Sequence, residues 1–411
     1  MRILLPYWLG APERCFYQDF QQGIAAALRE LGCETVQVPF ADRGAVQVAE
    51  GKRLYQELQA ASVSAVLDLA CWGYGLSRIT LPTQNGEGRP IFDAFGVPYV
   101  QWLFDQPCNQ QMTGVMATGH YAVYPDLGHP QQVRLLYPGL ELTSEIFAPP
   151  AVRPENNRSA GKWSSARGID VLYIGNLDPE ALERCWNDPH NRQWPDRFNP
   201  RFCNALTDAC IEKPERSLHL IAQSVIAELD PIPSGFNFRF HFSLVENFLR
   251  HMVRRDAVVA LARSGLHMRV VGKGWNAVTL PANVEWAAAT DYDGMFRLAG
   301  QAKICLDAST YLDGANDRVF SYALNRAVCF TNASGYLRQL FGEDGGIGFF
   351  SMRDLPDLAE QIKSLLARPT ALQEAGECAA ATTLSAHTWR HRVGNVLAAM
   401  RLQSDRDRET R

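Results

Sequence analysis

Two loops in this sequence gather the residue types that grip anions. The run 312–332 reads LDGANDRVFSYALNRAVCFTN and sets Asp313, Gly314, Asn316, Asp317 and Arg318 just ahead of Val319, Phe320, Ala323 and Leu324, which share a helical face. A helix start exposes unpaired N–H groups and a positive partial charge, worth about 0.3–1 kcal/mol to a nearby anion. Arg318 adds charge-assisted hydrogen bonds of roughly 1.5–3 kcal/mol each, and Gly314 lets backbone approach a ligand closely. Together these suit a diphosphate. Read for structure alone, Asp317 is a helix cap and Arg318 a surface ion-pair partner, and both readings stay open here. A second loop, RVVGKGWN, offers Gly272, Lys273 and Gly274 as permissive backbone beside a cation.

Both loops follow apolar strands, KICLDAS and HMRVVG, and ligands of open α/β sheets bind beyond the carboxyl ends of strands. The elements that must position them repeat along the chain. RILLPYW reads as a strand, Phe20, Ile24, Leu28 and Leu31 as one helix face, Gly32 as its cap, and TVQVPF as the next strand. Further strands at SAVLDLAC and VPYVQWLF extend a parallel, helix-covered sheet over an amino-terminal domain, residues 1–148. Residues 149–168, rich in Pro, Ser, Asn, Gly and Arg, read as a linker. The pattern restarts at GIDVLYIGN and gives a second doubly wound domain over 169–385, with strands at HMRVVG, NVEW, KICLDAS and AVCFT. About 177–240 is longer than one crossover needs, so an insertion is expected there, either a surface elaboration or a cover for an acceptor site. SLVENFLRHMVRRDAVVALAR (243–263) then reads as the expected helix. A closing helix over 386–402 carries Trp389, Val393, Val396, Leu397 and Met400 on one stripe, and 403–411 is a charged tail.

Bulk properties narrow the function. In 411 residues, 46% hydrophobic and 20% charged, with a net charge of −4, there is no broad basic field, which argues against a nucleic-acid partner. No apolar run reaches the ~18 residues of a transmembrane span, and MRILLPYWLG lacks the marks of a secretory leader, so a cytoplasmic location is expected. The ten cysteines include no CxxC pair and read as reduced core residues rather than zinc ligands or disulfides.

The run NVEWAAATDYDGMFRLAGQAKICLDASTYLDGANDRVFSYALNRAVCFTN, followed by YLRQLF, GIGFF and HTWRHR, resembles the carboxyl-terminal domain of group 1 (family 4-like) glycosyltransferases, nearest to the CgeB or spore-maturation-protein branch. The resemblance spans about 253–395, is thinner over 1–148 and does not cover 177–240. It implies the GT-B architecture, in which two Rossmann-like domains face each other and the second binds a nucleotide-sugar. It also implies that the closing helix crosses back to the first domain. The family's acid-x7-acid pattern falls on Asp313, near the donor sugar, and on Ser321, where a hydroxyl replaces the acid that usually holds the ribose. Arg318 would bind the diphosphate, with Asn316 and Asp317 shaping the loop, and Lys273, Arg254 or Arg255 are further cations. Trp286 and Ala287 match the loop that holds the nucleobase edge, although Trp286 read alone is a core aromatic.

The resemblance thus implies transfer of a sugar from a nucleotide-diphosphate-sugar to a hydroxyl of a glycan, protein or small molecule. No cofactor and no metal are expected, because Asp291-Tyr292-Asp293 reads as a helix start rather than a metal loop. The related group usually retains configuration at the anomeric carbon. An inverting reaction needs a base; Asp105 in WLFDQP leads, with His120 and His129 behind it, and Gly10 in YWLGAPE would line the site. Asp105 and Gly10 read for structure alone are turn residues. Two rivals remain: a non-catalytic nucleotide-sugar-binding partner protein, supported by Ser321, and a nicotinamide-dependent oxidoreductase, opposed by the lack of G-x-G-x-x-G after the first strand. Replacing Arg318 by Ala is expected, at this level, to weaken donor binding with little loss of stability.

Overall fold

The computed structural model describes residues 1–9, 15–41, 48–60, 62–82, 87–112, 119–158, 167–187, 198–229 and 236–409. The chain forms two compact units, Met1–Pro150 with Trp389–Arg411, and Ala151–Thr388. Gly10 and residues 159–166 of the expected linker lie outside the described residues, as do 188–197 and 230–235 of the expected insertion.

In unit 1 a parallel sheet is built from β1 (Arg2–Trp8), β2 (Glu34–Phe40), β3 (Ala65–Leu69), β6 (Tyr99–Trp102), β7 (His120–Tyr124) and β8 (Ser144–Phe147), in the order β2-β1-β3-β6-β7-β8. A short antiparallel pair, β4 (Thr80–Pro82) and β5 (Gly88–Pro90), stands apart. Ile3, Leu4 and Leu5 are all buried, which explains why β1 is continuously apolar rather than alternating. Helix α1 (Cys15–Glu30) buries Phe20, Ile24 and Leu28 at i, i+4 and i+8, and Gly32 follows it at φ +77°. The remaining helices before the unit boundary are α2 (Val48–Ala60), α3 (Tyr74–Ser77), α4 (Ile91–Ala94) and α5 (His129–Leu136).

Unit 2 repeats the plan with β9 (Ile169–Ile174), β10 (Met268–Val271), β11 (Val284–Ala287), β12 (Ala302–Asp307), β13 (Val328–Asn332) and β14 (Ile347–Phe350), all parallel, in the order β11-β10-β9-β12-β13-β14. Between β9 and β10 lie α6 (Pro200–Glu212), α7 (Leu218–Glu228) and α8 (Phe238–Arg263). Helix α8 starts five residues before the expected 243, because the Asn237 side chain caps it by accepting from the Phe240 N–H at 3.0 Å. The aromatic run after Asn237 is therefore its first turns, not part of the insertion. Helices α9 (Tyr292–Ala299), α10 (Asp317–Leu324), α11 (Gly335–Phe341), α12 (Leu355–Leu366) and α13 (Pro369–Ala386) complete the unit. One apolar layer joins the sheet to α8, α12 and the first turns of α13, the other to α9, α10, α11 and the middle of α13.

The closing helix, α14 (Trp389–Glu409), belongs to unit 1 and packs on α1. Its stripe of Trp389, Val393, Val396, Leu397 and Met400 is buried, the Trp389 and Phe20 rings lie 5.1 Å apart, and Arg392 Nε donates to the Pro149 carbonyl at 3.0 Å. Arg167, which composition assigned to the linker, is buried instead. Its guanidinium donates to the carbonyls of Ala302 (2.6 Å) and Asn325 (2.9 Å), at the start of β12 and the end of α10. Helix carboxyl ends favour a cation. Replacing Arg167 by Met should strand these carbonyls and lower unfolding free energy by about 2 kcal/mol in urea titrations; a loss below a few tenths would show that the clamp carries no stability.

Unit 1 also buries a carboxylate. Asp68, in β3, accepts from the Gly73 N–H and the Tyr99 hydroxyl, both at 2.6 Å, while the turn between holds Ala70 at φ +56° and Cys71 at φ +54°. Burial pushes its pKa from 3.8 up to about 7, against the lowering pull of those hydrogen bonds. A carboxyl raised in the folded state contributes stability below its unfolded pKa that is lost as pH rises through the folded one. That displacement corresponds to something on the order of 4 kcal/mol. Asp68→Asn should therefore flatten the decline of unit 1 stability between about pH 4 and 7 and melt later than the parent chain at pH 8. A lower melting temperature at pH 8 would mean the charged form is needed for the turn.

Candidate functional site

The direction of strand addition in unit 2 reverses between β9 and β12, so the crevice expected for a ligand lies at their carboxyl ends. The β9 end leads into Gly175–Asp178, the β12 end into Ala308–Ala315, and α10 begins just beyond. Asn316, not Asp317, is the cap of α10: its Oδ1 accepts from the Arg318 N–H at 2.9 Å. Its Nδ2 donates to both carboxylate oxygens of Asp307 at 2.9 Å, and the Thr331 hydroxyl donates to Asp307 Oδ2 at 3.1 Å. Asp317 is partly buried and accepts from the Tyr292 hydroxyl at 3.1 Å; burial raises its pKa, with Arg318 opposing.

Arg318 is not the surface ion-pair partner of its purely structural reading. One guanidinium nitrogen lies 3.2 Å from Asp307 Oδ1 and the other donates to the Ile174 carbonyl at 2.8 Å, with the Asp307 side chain fully buried and that of Arg318 16% exposed. Burial works against its charge, but Asp307 and the hydroxyls of Tyr322 and Tyr173 outweigh this and raise its pKa. Asp307 is the residue that the sequence reading missed. Its signal was an acid closing an otherwise apolar strand at the edge where ligands bind.

The cation set comes from α8. Glu246, Arg250 and Arg254 recur every fourth residue, and one face therefore carries all three. Glu246 is buried and accepts from Arg250 Nε at 2.9 Å and from the Thr310 hydroxyl at 3.2 Å. Arg254 donates to the Asn176 carbonyl at 3.0 Å, and its buried Nε has no partner among the described residues. Arg255 turns aside and pairs with Asp256 at 2.8 Å. Of the two adjacent arginines, Arg254 is the one that bonds to the loop after β9.

The GKG loop is built differently from what its glycines suggest. A Cβ on Gly272 (φ +155°) would sit 2.2 Å from the Gly175 carbonyl oxygen, and one on Gly274 (φ +82°) 1.9 Å from that of Leu177. These glycines let two loops of the protein touch. Gly274→Ala should cost at least 2 kcal/mol, by clash and by left-handed backbone; unchanged chemical denaturation would disprove the tight approach. Lys273 is exposed and its N–H donates to Asn176 Oδ1 at 2.9 Å.

Trp286 is 45% exposed on edge strand β11, not a core aromatic, and its indole N–H donates to the Gly272 carbonyl at 3.0 Å. The Ala287 carbonyl accepts from the Gly272 N–H at 3.1 Å. Asp313 is exposed, next to buried Gly314, and its carboxylate lies over Gly335, where a Cβ would come within 2.7 Å of Oδ1. Ser321 is fully buried in α10, with its hydroxyl unpartnered among the described residues and facing core rather than solvent. Asp291 caps α9, as its position predicts, by accepting from the Gly294 N–H at 2.7 Å. Among the described residues no group of three or more His, Cys, Asp or Glu side chains has metal-binding geometry, and no helix is long and apolar enough to cross a membrane.

In unit 1, Asp105 is partly exposed beyond the carboxyl end of β6 and accepts from the Gln106 N–H at 2.8 Å. His120 sits level with Tyr99, at the amino ends of β7 and β6, so the sheet separates it from Asp105. It is buried against Gln101 at 2.8 Å, and burial pulls its pKa down to about 4. His129, at the start of α5, is buried as well.

Residues 250–398 match a family model described as Glycosyl transferase-like. That stretch holds Arg250, Arg254, Asp307 and Arg318. No curated protein sequence matches the chain. Solved structures similar to it include a sucrose-phosphate synthase from Thermosynechococcus elongatus (9% identity, TM-score 0.52) and a glycosyltransferase from Rickettsia africae ESF-5 (8%, 0.51). AviGT4, a glycosyltransferase involved in avilamycin A biosynthesis, is a third (14%, 0.50); in all three, 98% of each chain is covered. At these identities the likeness establishes the fold, the two parallel-sheet α/β units of the GT-B architecture. The family match and that fold together support sugar transfer in general.

Proposed function

We propose that the protein transfers a sugar from a nucleoside diphosphate donor to an acceptor hydroxyl without a metal ion. The observation that carries this is the arginine set of α8 and α10 at the β9/β12 switch point, inside the segment that matches the family model. Breaking a sugar–phosphate bond leaves charge on the departing diphosphate, and fixed cations and N–H groups stabilise it with little reorganisation. In this reading Arg254 and Lys273 meet the diphosphate, Asp307 holds Arg318 and Asn316 so that the α10 amino end keeps its shape, and Asp313 faces the sugar. Trp286 and the Ala287 backbone border the base. Retention is expected; in an inverting enzyme Asp105 is the base candidate of unit 1. The acceptor is a glycan, protein or small molecule, the location is cytoplasmic, and the branch is the CgeB type.

A thermal-shift screen against UDP-, GDP-, dTDP- and CMP-sugars with EDTA tests the reading. Stabilisation by one diphosphate family, with CMP-sugars inert, is expected; no shift with any of them would sink it. Donor stabilisation without turnover across many acceptors would instead favour a binding protein, the reading to which the buried Ser321 belongs.

A further inference from the structure

The loop Gly175–Asp178 is fixed at every residue. The Trp275 indole N–H donates to the Gly175 carbonyl at 2.7 Å, Arg254 to the Asn176 carbonyl at 3.0 Å, and the Lys273 N–H to Asn176 Oδ1 at 2.9 Å. The Leu177 N–H donates to the Lys273 carbonyl at 2.9 Å, and the Asp178 N–H to His251 Nδ1 at 3.1 Å. His251 has no part in the site as built so far, yet it lies on α8 between Arg250 and Arg254 and is 7% exposed.

A ring nitrogen that accepts an N–H carries no proton, so the His251 proton sits on Nε2. Burial, with Arg254 and Arg250 alongside, pulls the ring down to about 4 and keeps it neutral. We propose that His251 is a positioning residue for donor binding: its Nδ1 anchors the end of the loop whose Asn176 carbonyl aims Arg254. This rests on the donor reading above. A guanidinium held by a fixed carbonyl is pre-organised, whereas one whose partner drifts must be ordered again each time an anion binds.

Three variants of the full chain test this: His251→Ala, His251→Asn and His251→Gln. The Asn carbonyl oxygen falls near the Nδ1 position and can accept the Asp178 N–H, while the Gln oxygen reaches the Nε2 position instead. Binding is measured with inorganic pyrophosphate, UDP, GDP and dTDP, and loop order by hydrogen exchange over 175–178. Ala and Gln should weaken pyrophosphate or nucleotide binding about tenfold and speed exchange at Asp178 about tenfold, and Asn should restore both. Asn and Gln behaving alike, or exchange unchanged in the Ala and Gln variants, would overturn the proposal, and the Asn–Gln contrast decides even where Ala fails to fold. If the parent chain binds none of the four probes, the donor reading falls and this proposal with it, while exchange still reports separately whether His251 holds Asp178.

Discussion

Arg318→Ala is expected to lose about 3–5 kcal/mol of unfolding free energy, because it strands the Asp307 carboxylate in the core of unit 2. The Asp307 side chain has no exposed surface and its one ionic partner among the described residues, Arg318, is itself 16% exposed, so water cannot replace the guanidinium. Asn316 and Thr331 still donate to it, but neutral donors do not balance a charge in a poorly solvated site. Adding Asp307→Asn to Arg318→Ala should recover much of the loss by removing the charge. Urea titrations of the parent, both single variants and the double complete a cycle whose coupling should exceed ~1 kcal/mol. A single Arg318→Ala change costing under ~1 kcal/mol would show that the pair is a surface ion pair after all. The practical consequence is that donor affinity measured on Arg318→Ala mixes binding with folding.

Arg254→Ala should behave in the opposite way. It removes one hydrogen bond to a partly exposed carbonyl and relieves repulsion with Arg250 and Arg318, so stability should change by less than ~1 kcal/mol. Donor affinity should fall about 10- to 100-fold, the range of a charge-assisted hydrogen bond to a diphosphate. Arg255→Ala, one residue along, is the control, since its guanidinium pairs with Asp256 and should leave affinity unchanged. Arg254→Lys should recover only part, because an ammonium cannot keep the Asn176 carbonyl and grip a phosphate with the same fork. Calorimetric titration with the nucleotide found by the thermal-shift screen reads all three. Equal losses for Arg254→Ala and Arg255→Ala would point to general surface charge and remove Arg254 from the site.

Much of the architecture was written locally in the sequence. The continuous apolar strands, the Phe20, Ile24, Leu28 face, the Gly32 cap and the Trp389 to Met400 stripe each declare themselves within one element, because burial of a strand or a helix face sets a period that composition must follow. The 316–318 triplet was visible for the same reason, as a cap chemistry confined to a few residues.

Its partners were not visible. Sheet order places β9 between β10 and β12, so Lys273 meets Asn176 across 97 positions and Arg318 meets Ile174 across 144. The insertion carries α8 away from β9 in sequence and returns it in space, bringing His251 and Arg254 to a loop more than seventy residues earlier. Side-chain type and spacing announce which residues want a partner, but strand order alone decides who the partner is. That is why Arg318 read as a diphosphate ligand or a surface ion-pair partner and stands as half of a buried pair, and why the sequence does not show that Gly272 and Gly274 bring two loops into contact. Hydrogen bonds and ion pairs act over a few ångströms of space, a distance the linear sequence does not contain.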